Sequence, residues 1–278
     1  MLIFGTIGIF VKYIPLPSSV IALARGVIGT LFLLIVALLS RKKLSFAGAK
    51  RHLLLLFISG ALVGFNWIFL FESYNYTTVA VSTLCYYMQP TFVIIASAFI
   101  FKERITLRKA ICVILALVGM VFVSGIVESG IPTVSELKGV LFGLGAAVIY
   151  TSIILVNQKL GAIDAYTKTV IQLFSAAVTI LPYILLTEDV SKLTLDAKGA
   201  LLLGIVAVVH TGIAYFLYFG SMGNLKAQTI AIMSYIDPVT AIILSALFLR
   251  EPITPAAIIG ALLILGAAFV SELPSRKS

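Results

Sequence analysis

The chain has 278 residues, of which 61% are hydrophobic and 11% charged, with a formal net charge of +9 and a mean hydropathy of +1.15. Soluble domains are nearer half apolar and a quarter charged, and a chain of this size still exposes much of its surface when folded. A water-soluble globule is therefore excluded, and lipid is the solvent that fits.

A spanning helix needs about 20 mostly apolar residues. In chain order, such runs predict helices over 17–40, 52–71, 77–101, 108–125, 138–157, 166–186, 199–219, 227–249 and 254–271. A shorter apolar run, 1–14, precedes them and makes ten. Its fourteen residues cover only about 21 Å of a roughly 30 Å core. The expectation is that about ten residues are missing before Met1, or that helix 1 starts partway into the bilayer. Helix 2 carries Arg25. Helix 3 carries Gly60-x-x-x-Gly64, Asn66 and Trp67, with Tyr74 and Tyr76 expected as anchors at its external interface. Helix 4 holds Tyr87, Gln89 and Pro90; helix 6 holds Gly139-x-x-x-Gly143 and Tyr150; helix 7 holds Gln172. Helix 8 holds His210 and Tyr215, and helix 9 holds Tyr235, Asp237 and Pro238. Cys85 and Cys112 lie in apolar runs without metal-ligand spacing and read as buried thiols.

The charges fall between the runs. Arg41, Lys42, Lys43, Lys50, Arg51, Lys102, Arg104, Arg108, Lys109, Lys159, Lys168, Lys226, Arg276 and Lys277 lie on one side. Only Lys12, Lys138, Lys192, Lys198 and Arg250 lie on the other. This asymmetry puts both termini in the cytoplasm, in a multi-pass protein of the cytoplasmic membrane. It also explains the net charge, so no nucleic-acid partner is expected.

A shift of 148 residues lays Tyr87, Pro90, Ile94, Ile95, Ser97, Ala98, Glu103, Ile105 and Thr106 on identical residues, Tyr235 to Thr254, without a gap. An odd number of helices per copy turns the second copy over in the membrane. The expected fold is an all-α membrane protein of ten transmembrane helices, two inverted five-helix repeats around a central cavity. The repeats run over 1–126 and 138–278, joined by an external linker over 127–137. Glu103 and Glu251, identical in the two copies, sit at helix ends beside basic residues and read as helix caps or loop pins.

The stretch Tyr76-Thr77-Thr78-Val79-Ala80, Tyr86-Tyr87-Met88-Gln89-Pro90 and Lys102-Glu103-Arg104-Ile105-Thr106 is echoed by Ser234-Tyr235-Ile236-Asp237-Pro238 and Arg250-Glu251-Pro252-Ile253-Thr254. In these motifs the chain resembles the EamA-type branch of the drug/metabolite transporter superfamily, over essentially its whole length. The resemblance implies a ten-helix inverted repeat, a central substrate cavity, and export or uptake of amino acids or other small metabolites.

Arg25 and Asp237 are the two charged residues that fall well inside predicted spans. An unpaired charge there costs at least about 2.5–3.5 kcal/mol. Three readings stand side by side: an Arg25–Asp237 ion pair, a zwitterion site with Arg25 for the anionic group and Asp237 for the cationic one, and Asp237 as a proton site. Pro90 and Pro238 each remove a backbone donor and free a carbonyl four residues back, so kinks with polar neighbours are expected to open onto a cavity. Tyr87, Gln89, Tyr235, Asn66, Trp67, Tyr150 and Gln172 are the candidate wall, against the alternative of ordinary packing. His210 reads as a helix contact or as a proton relay. No phosphate loop, zinc cluster or serine–base pair is present in the sequence, so no catalytic residue, metal or cofactor is assigned. The expected function is alternating-access transport of a small molecule by a monomer or weak homodimer in lipid. The alternatives are an intramembrane enzyme using Asp237 and His210 as an acid/base pair on a lipid-borne substrate, and a non-transporting scaffold or sensor.

Overall fold

The structure is a computed structural model that describes residues 2–40, 49–100, 102, 106–123, 127, 133–160, 163–215, 217 and 236–273. Among these there are helices and connecting turns but no strands. In chain order they are α1 (Leu2–Lys12), α2 (Ser18–Leu39), α3 (Leu53–Tyr76), α4 (Val79–Tyr86), α5 (Gln89–Ile100) and α6 (Leu107–Val123). There follow α7 (Val134–Lys159), α8 (Ala165–Thr187), α9 (Ala197–Ala207), α10 (Ile236–Leu244) and α11 (Pro255–Glu272). α9 and α10 each continue into a π-helical segment, Val208–Ile213 and Ser245–Leu249 respectively.

Five helical spans among the described residues are long and apolar enough to cross a membrane: Ser18–Leu39, Lys50–Tyr76, Val79–Ile100 (α4 and α5 together), Val134–Asn157 and Tyr166–Thr187. Leu2–Lys12, Ala197–Ile213, Ile236–Phe248 and Pro255–Ser271 are apolar and shorter. Large apolar side chains cover the outside, Leu38, Leu39, Phe99 and Leu186 among them. A surface of this kind is wetted by acyl chains and not by water.

The helix starts follow local chemistry. Thr133 and Glu136 form a reciprocal capping box on α7. Asp164, Asp196 and Thr254 each accept a first-turn backbone N–H of α8, α9 and α11.

Inside lipid the helices gain little from being apolar, and close packing at small residues holds them together. α3 lies between α7 and α8, α9 lies on α1 and α2, α4 lies on α7, and α10 lies on α1. Three further contacts join α2 to α8, α4 to α10 and α6 to α11. One buried cluster, with Ile21, Leu33, Phe71, Leu173 and Ile180, ties α2, α3 and α8. A second, with Leu84, Met88, Ala116, Ala147 and Ile264, ties α4, α6, α7 and α11. The two cysteines are buried free thiols, as the sequence indicates.

Both glycine pairs serve packing within the chain. A Cβ at Gly60 would stand 2.5 Å from the Gln172 carbonyl oxygen, and one at Gly143 would stand 2.7 Å from Cys85 Cβ. The neighbours at Gly60 cannot yield, because the Gln172 carbonyl belongs to the α8 backbone and Ser175 Cβ, also at 2.5 Å, is bonded directly to it. Overpacking of this kind costs about 1–3 kcal/mol. Gly60→Val is therefore expected to lower the thermal midpoint in detergent by several degrees, at about 2–4 °C per kcal/mol. An unchanged midpoint would mean that α3 and α8 separate freely.

Candidate functional site

The sequence predicts one kinked helix over 77–101, and here the structure differs. Two helices, α4 and α5, meet at Tyr87 and Met88, which form a turn. Pro90 has no N–H to return to the Tyr86 carbonyl, so the α-helical ladder cannot run through. The chain instead makes a short bond from Met88 N to Cys85 O at 3.1 Å, and restarts with Phe92 N to Met88 O at 3.1 Å. The break turns Tyr86, Tyr87 and Gln89 towards one cavity of about 470 Å³. That volume falls in the range of small-molecule sites.

Of the candidates named from the sequence, Arg25, Asn66, Trp67, Tyr87, Gln89, Tyr150, Gln172 and Asp237 all line this cavity. Helices α2, α3, α5, α7, α8 and α10 and the turn at Tyr87 thus each contribute. Tyr235 lies outside the described residues. Pro90 and Pro238 are not among the lining residues; they shape the helices that carry it.

Arg25 and Asp237 do not form the ion pair considered from the sequence. Arg25, 3% exposed, lies with its guanidinium carbon 4.0 Å from the centre of the Trp67 ring and 5.3 Å from that of Phe71. Its Nε donates to Thr211 Oγ1 at 2.9 Å. A guanidinium is weakly hydrated and planar, so an aromatic face holds it where water is absent. Asp237 instead accepts from the Tyr87 hydroxyl at 3.0 Å. The ion pair found among the described residues is Lys192–Asp189 at 2.8 Å, on an exposed loop. The two intramembrane charges therefore both face the cavity with separate neutral partners.

His210 is placed elsewhere. It is 1% exposed, its Nε2 lies 2.8 Å from Thr6 Oγ1, and its ring meets Phe10 edge-on at 5.0 Å. It ties α9 to α1 and does not line the cavity. Among the described residues no hydrogen bond joins His210 to Asp237: His210 meets Thr6, and Asp237 accepts from Tyr87.

Other polar groups are fixed between helices. Asn66 donates to the Ala146 carbonyl at 2.6 Å, joining α3 to α7. Gln172 Nε2 donates to Ser59 Oγ at 2.6 Å and to Asn157 Oδ1 at 2.9 Å, joining α8 to α3 and α7. Gln89 Oε1 is buried without a hydrogen-bond partner. The aromatic wall is built edge to face, with Tyr86 on Tyr87 at 6.0 Å and on Tyr150 at 5.6 Å.

Three features escape the sequence reading. Tyr74 is not an interfacial anchor: it is 3% exposed and lines the cavity. Thr211, which holds Arg25, lies on a π-helical turn that no sequence pattern announced. Lys168 lines the cavity although its position near a helix start read as a loop charge. Its place four residues before Gln172, on the same helical face, is the signal that could have found it.

Glu251 confirms its reading as a pin. Its two carboxylate oxygens accept Val79 N at 2.9 Å and Ala80 N at 3.4 Å, while Thr78 Oγ1 accepts Val81 N at 3.1 Å. Three otherwise unmatched donors at the start of α4 are thereby satisfied, with a negative charge at the positive end of the helix. Glu103 lies outside the described residues.

The profile of the EamA-like transporter family matches residues 1–125 and 137–272. The chain belongs to the EamA-like transporter family. It is a multi-pass membrane protein of transporter type. It is 28% identical over 250 residues to the uncharacterized transporter YxxF of Bacillus subtilis, covering 89% of this chain and 79% of that one. It is also 28% identical over 261 residues to the uncharacterized transporter YoaV of Bacillus subtilis, covering 92% and 87%. Protein PecM of Dickeya dadantii is 24% identical, with 78% and 73% covered. A solved crystal structure at 18% identity covers 97% of this chain and 92% of its own, with a TM-score of 0.66, and shares the fold.

Proposed function

We propose that this family member is an alternating-access carrier for a small metabolite such as an amino acid or amine, with Arg25 and Asp237 as its two charged substrate contacts. The observation that carries this reading is the cavity itself. It sits at the break between α4 and α5, beside Asp237 on α10, and gathers eight of the nine substrate contacts predicted from sequence. In this reading Arg25 takes the carboxylate of a zwitterion, Asp237 takes its ammonium or a coupling proton, and the aromatic wall excludes water.

The carrier consists of two inverted halves, 1–126 and 138–278, joined by the linker 127–137, with both ends in the cytoplasm. The helix contacts support this arrangement. Exchanging the first five spans with the last five turns α3 on α7 into α9 on α1, α3 on α8 into α9 on α2, and α4 on α7 into α10 on α1. The contacts α2–α8, α4–α10 and α6–α11 map onto themselves. The family match in two segments of similar length, 1–125 and 137–272, supports it too. Rocking of one half against the other then opens the site to each side in turn.

Saturable flux in sealed proteoliposomes tests the reading. A carrier shows uptake that saturates with substrate and depends on an intact vesicle. Substrate turnover in detergent without a gradient, or no flux for any amino acid or amine, would remove it.

A further inference from the structure

Three side chains of acidic or basic type line the cavity among the described residues, the cations Arg25 and Lys168 and the carboxylate Asp237. No described carboxylate lies within ion-pair distance of Arg25 or of Lys168. Arg25 is held by Thr211 and by two aromatic rings, which orient a cation without neutralising it. A zwitterion would satisfy Arg25 and Asp237 and leave Lys168 unmatched. A substrate with one ammonium and two carboxylates matches all three.

The spacing along the helices fits. A Cβ at Gly26 would stand 3.1 Å from Ala177 Cβ and 3.2 Å from the Leu173 carbonyl oxygen. The neighbouring Arg25 is therefore about level with the middle of α8, and Lys168 lies about seven residues, roughly 10 Å, along its axis. The carboxyl carbons of an extended five-carbon dicarboxylate are about 5 Å apart. Two long side chains that face one cavity cover the remainder. Asp237, which holds the Tyr87 hydroxyl, and the partnerless oxygen of Gln89, two residues from Tyr87, also line the cavity and offer acceptors to an ammonium group.

We infer that the preferred substrate is an acidic amino acid, an α-amino dicarboxylate, with Lys168 as the residue that selects the second carboxylate. This rests on the carrier reading and adds the substrate class to it. Glutamate and glutamine separate the two claims, because they differ at the second acidic group alone. Calorimetric binding to the purified full chain is expected to favour glutamate by at least tenfold. In Lys168→Gln the glutamate-to-glutamine preference should collapse at least tenfold, and in Lys168→Arg it should persist. Equal binding of the two in the native chain, or an unaltered preference in Lys168→Gln, overturns the inference while leaving a carrier of neutral amino acids standing. Preferential glutamate binding without saturable flux in proteoliposomes would instead overturn the carrier reading and leave the charge match intact.

Discussion

Asp237→Asn is expected to abolish flux driven by a pH gradient while leaving the protein folded. Asparagine keeps the size of the side chain and an oxygen for the Tyr87 hydroxyl, which now sits 3.0 Å from the carboxylate. The helix start around Pro238 and the Tyr87 turn therefore have no reason to move. What is lost is the charge and the exchangeable proton. A hydrogen bond to a charged group contributes about 1.5–3 kcal/mol, so binding of an ammonium group should weaken by roughly ten- to hundredfold. The measurement is uptake into proteoliposomes after a pH jump, beside binding in detergent. Native pH dependence in this variant would take the proton role away from Asp237.

Arg25→Met is expected to weaken binding of a carboxylate substrate by at least about thirtyfold, the lower end of what removing a buried charge partner costs. Methionine fills most of the space between Trp67 and Phe71 and keeps the packing of α2 on α3. Thr211 is not orphaned, because its hydroxyl already donates to the Val206 carbonyl at 3.3 Å. Fold and binding are thus separable at this position. Since Arg25 and Asp237 do not touch, the double variant should lose stability as the sum of the singles, within about 0.5 kcal/mol. Thermal unfolding of the four proteins checks this. A coupling well above that value would restore the ion pair, and native affinity in Arg25→Met would move the carboxylate site elsewhere.

The sequence made the cavity wall legible for a simple reason. Polar and aromatic groups at half depth in an apolar helix are costly unless they face protein or a cavity, so Asn66, Gln89, Tyr150 and Gln172 marked an inward face before any contact was known. The same logic fails near helix ends. Lys168 lies four residues past the Asp164 cap, where a lysine is ordinary, and its direction depends on which side of α8 faces α3. Tyr74 failed in the opposite sense: near a helix end it resembled an interfacial anchor, but the start of α4 folds back over it. Pro90 announced a distortion without its form, because whether the freed carbonyl gives a kink or a break depends on the donors nearby.

The family, the all-helical membrane class, the buried thiols and the pin at Glu251 were determined by the sequence alone. Each follows from composition, from local capping chemistry or from motifs that survive without knowledge of neighbours. Only the tertiary structure decided that Arg25 rests on Trp67 and not on Asp237, that His210 belongs to α1, and that Lys168 enters the cavity. Those outcomes depend on helix rotation, which backbone approach at Gly60, Gly64 and Gly143 sets through contacts between residues far apart in the chain.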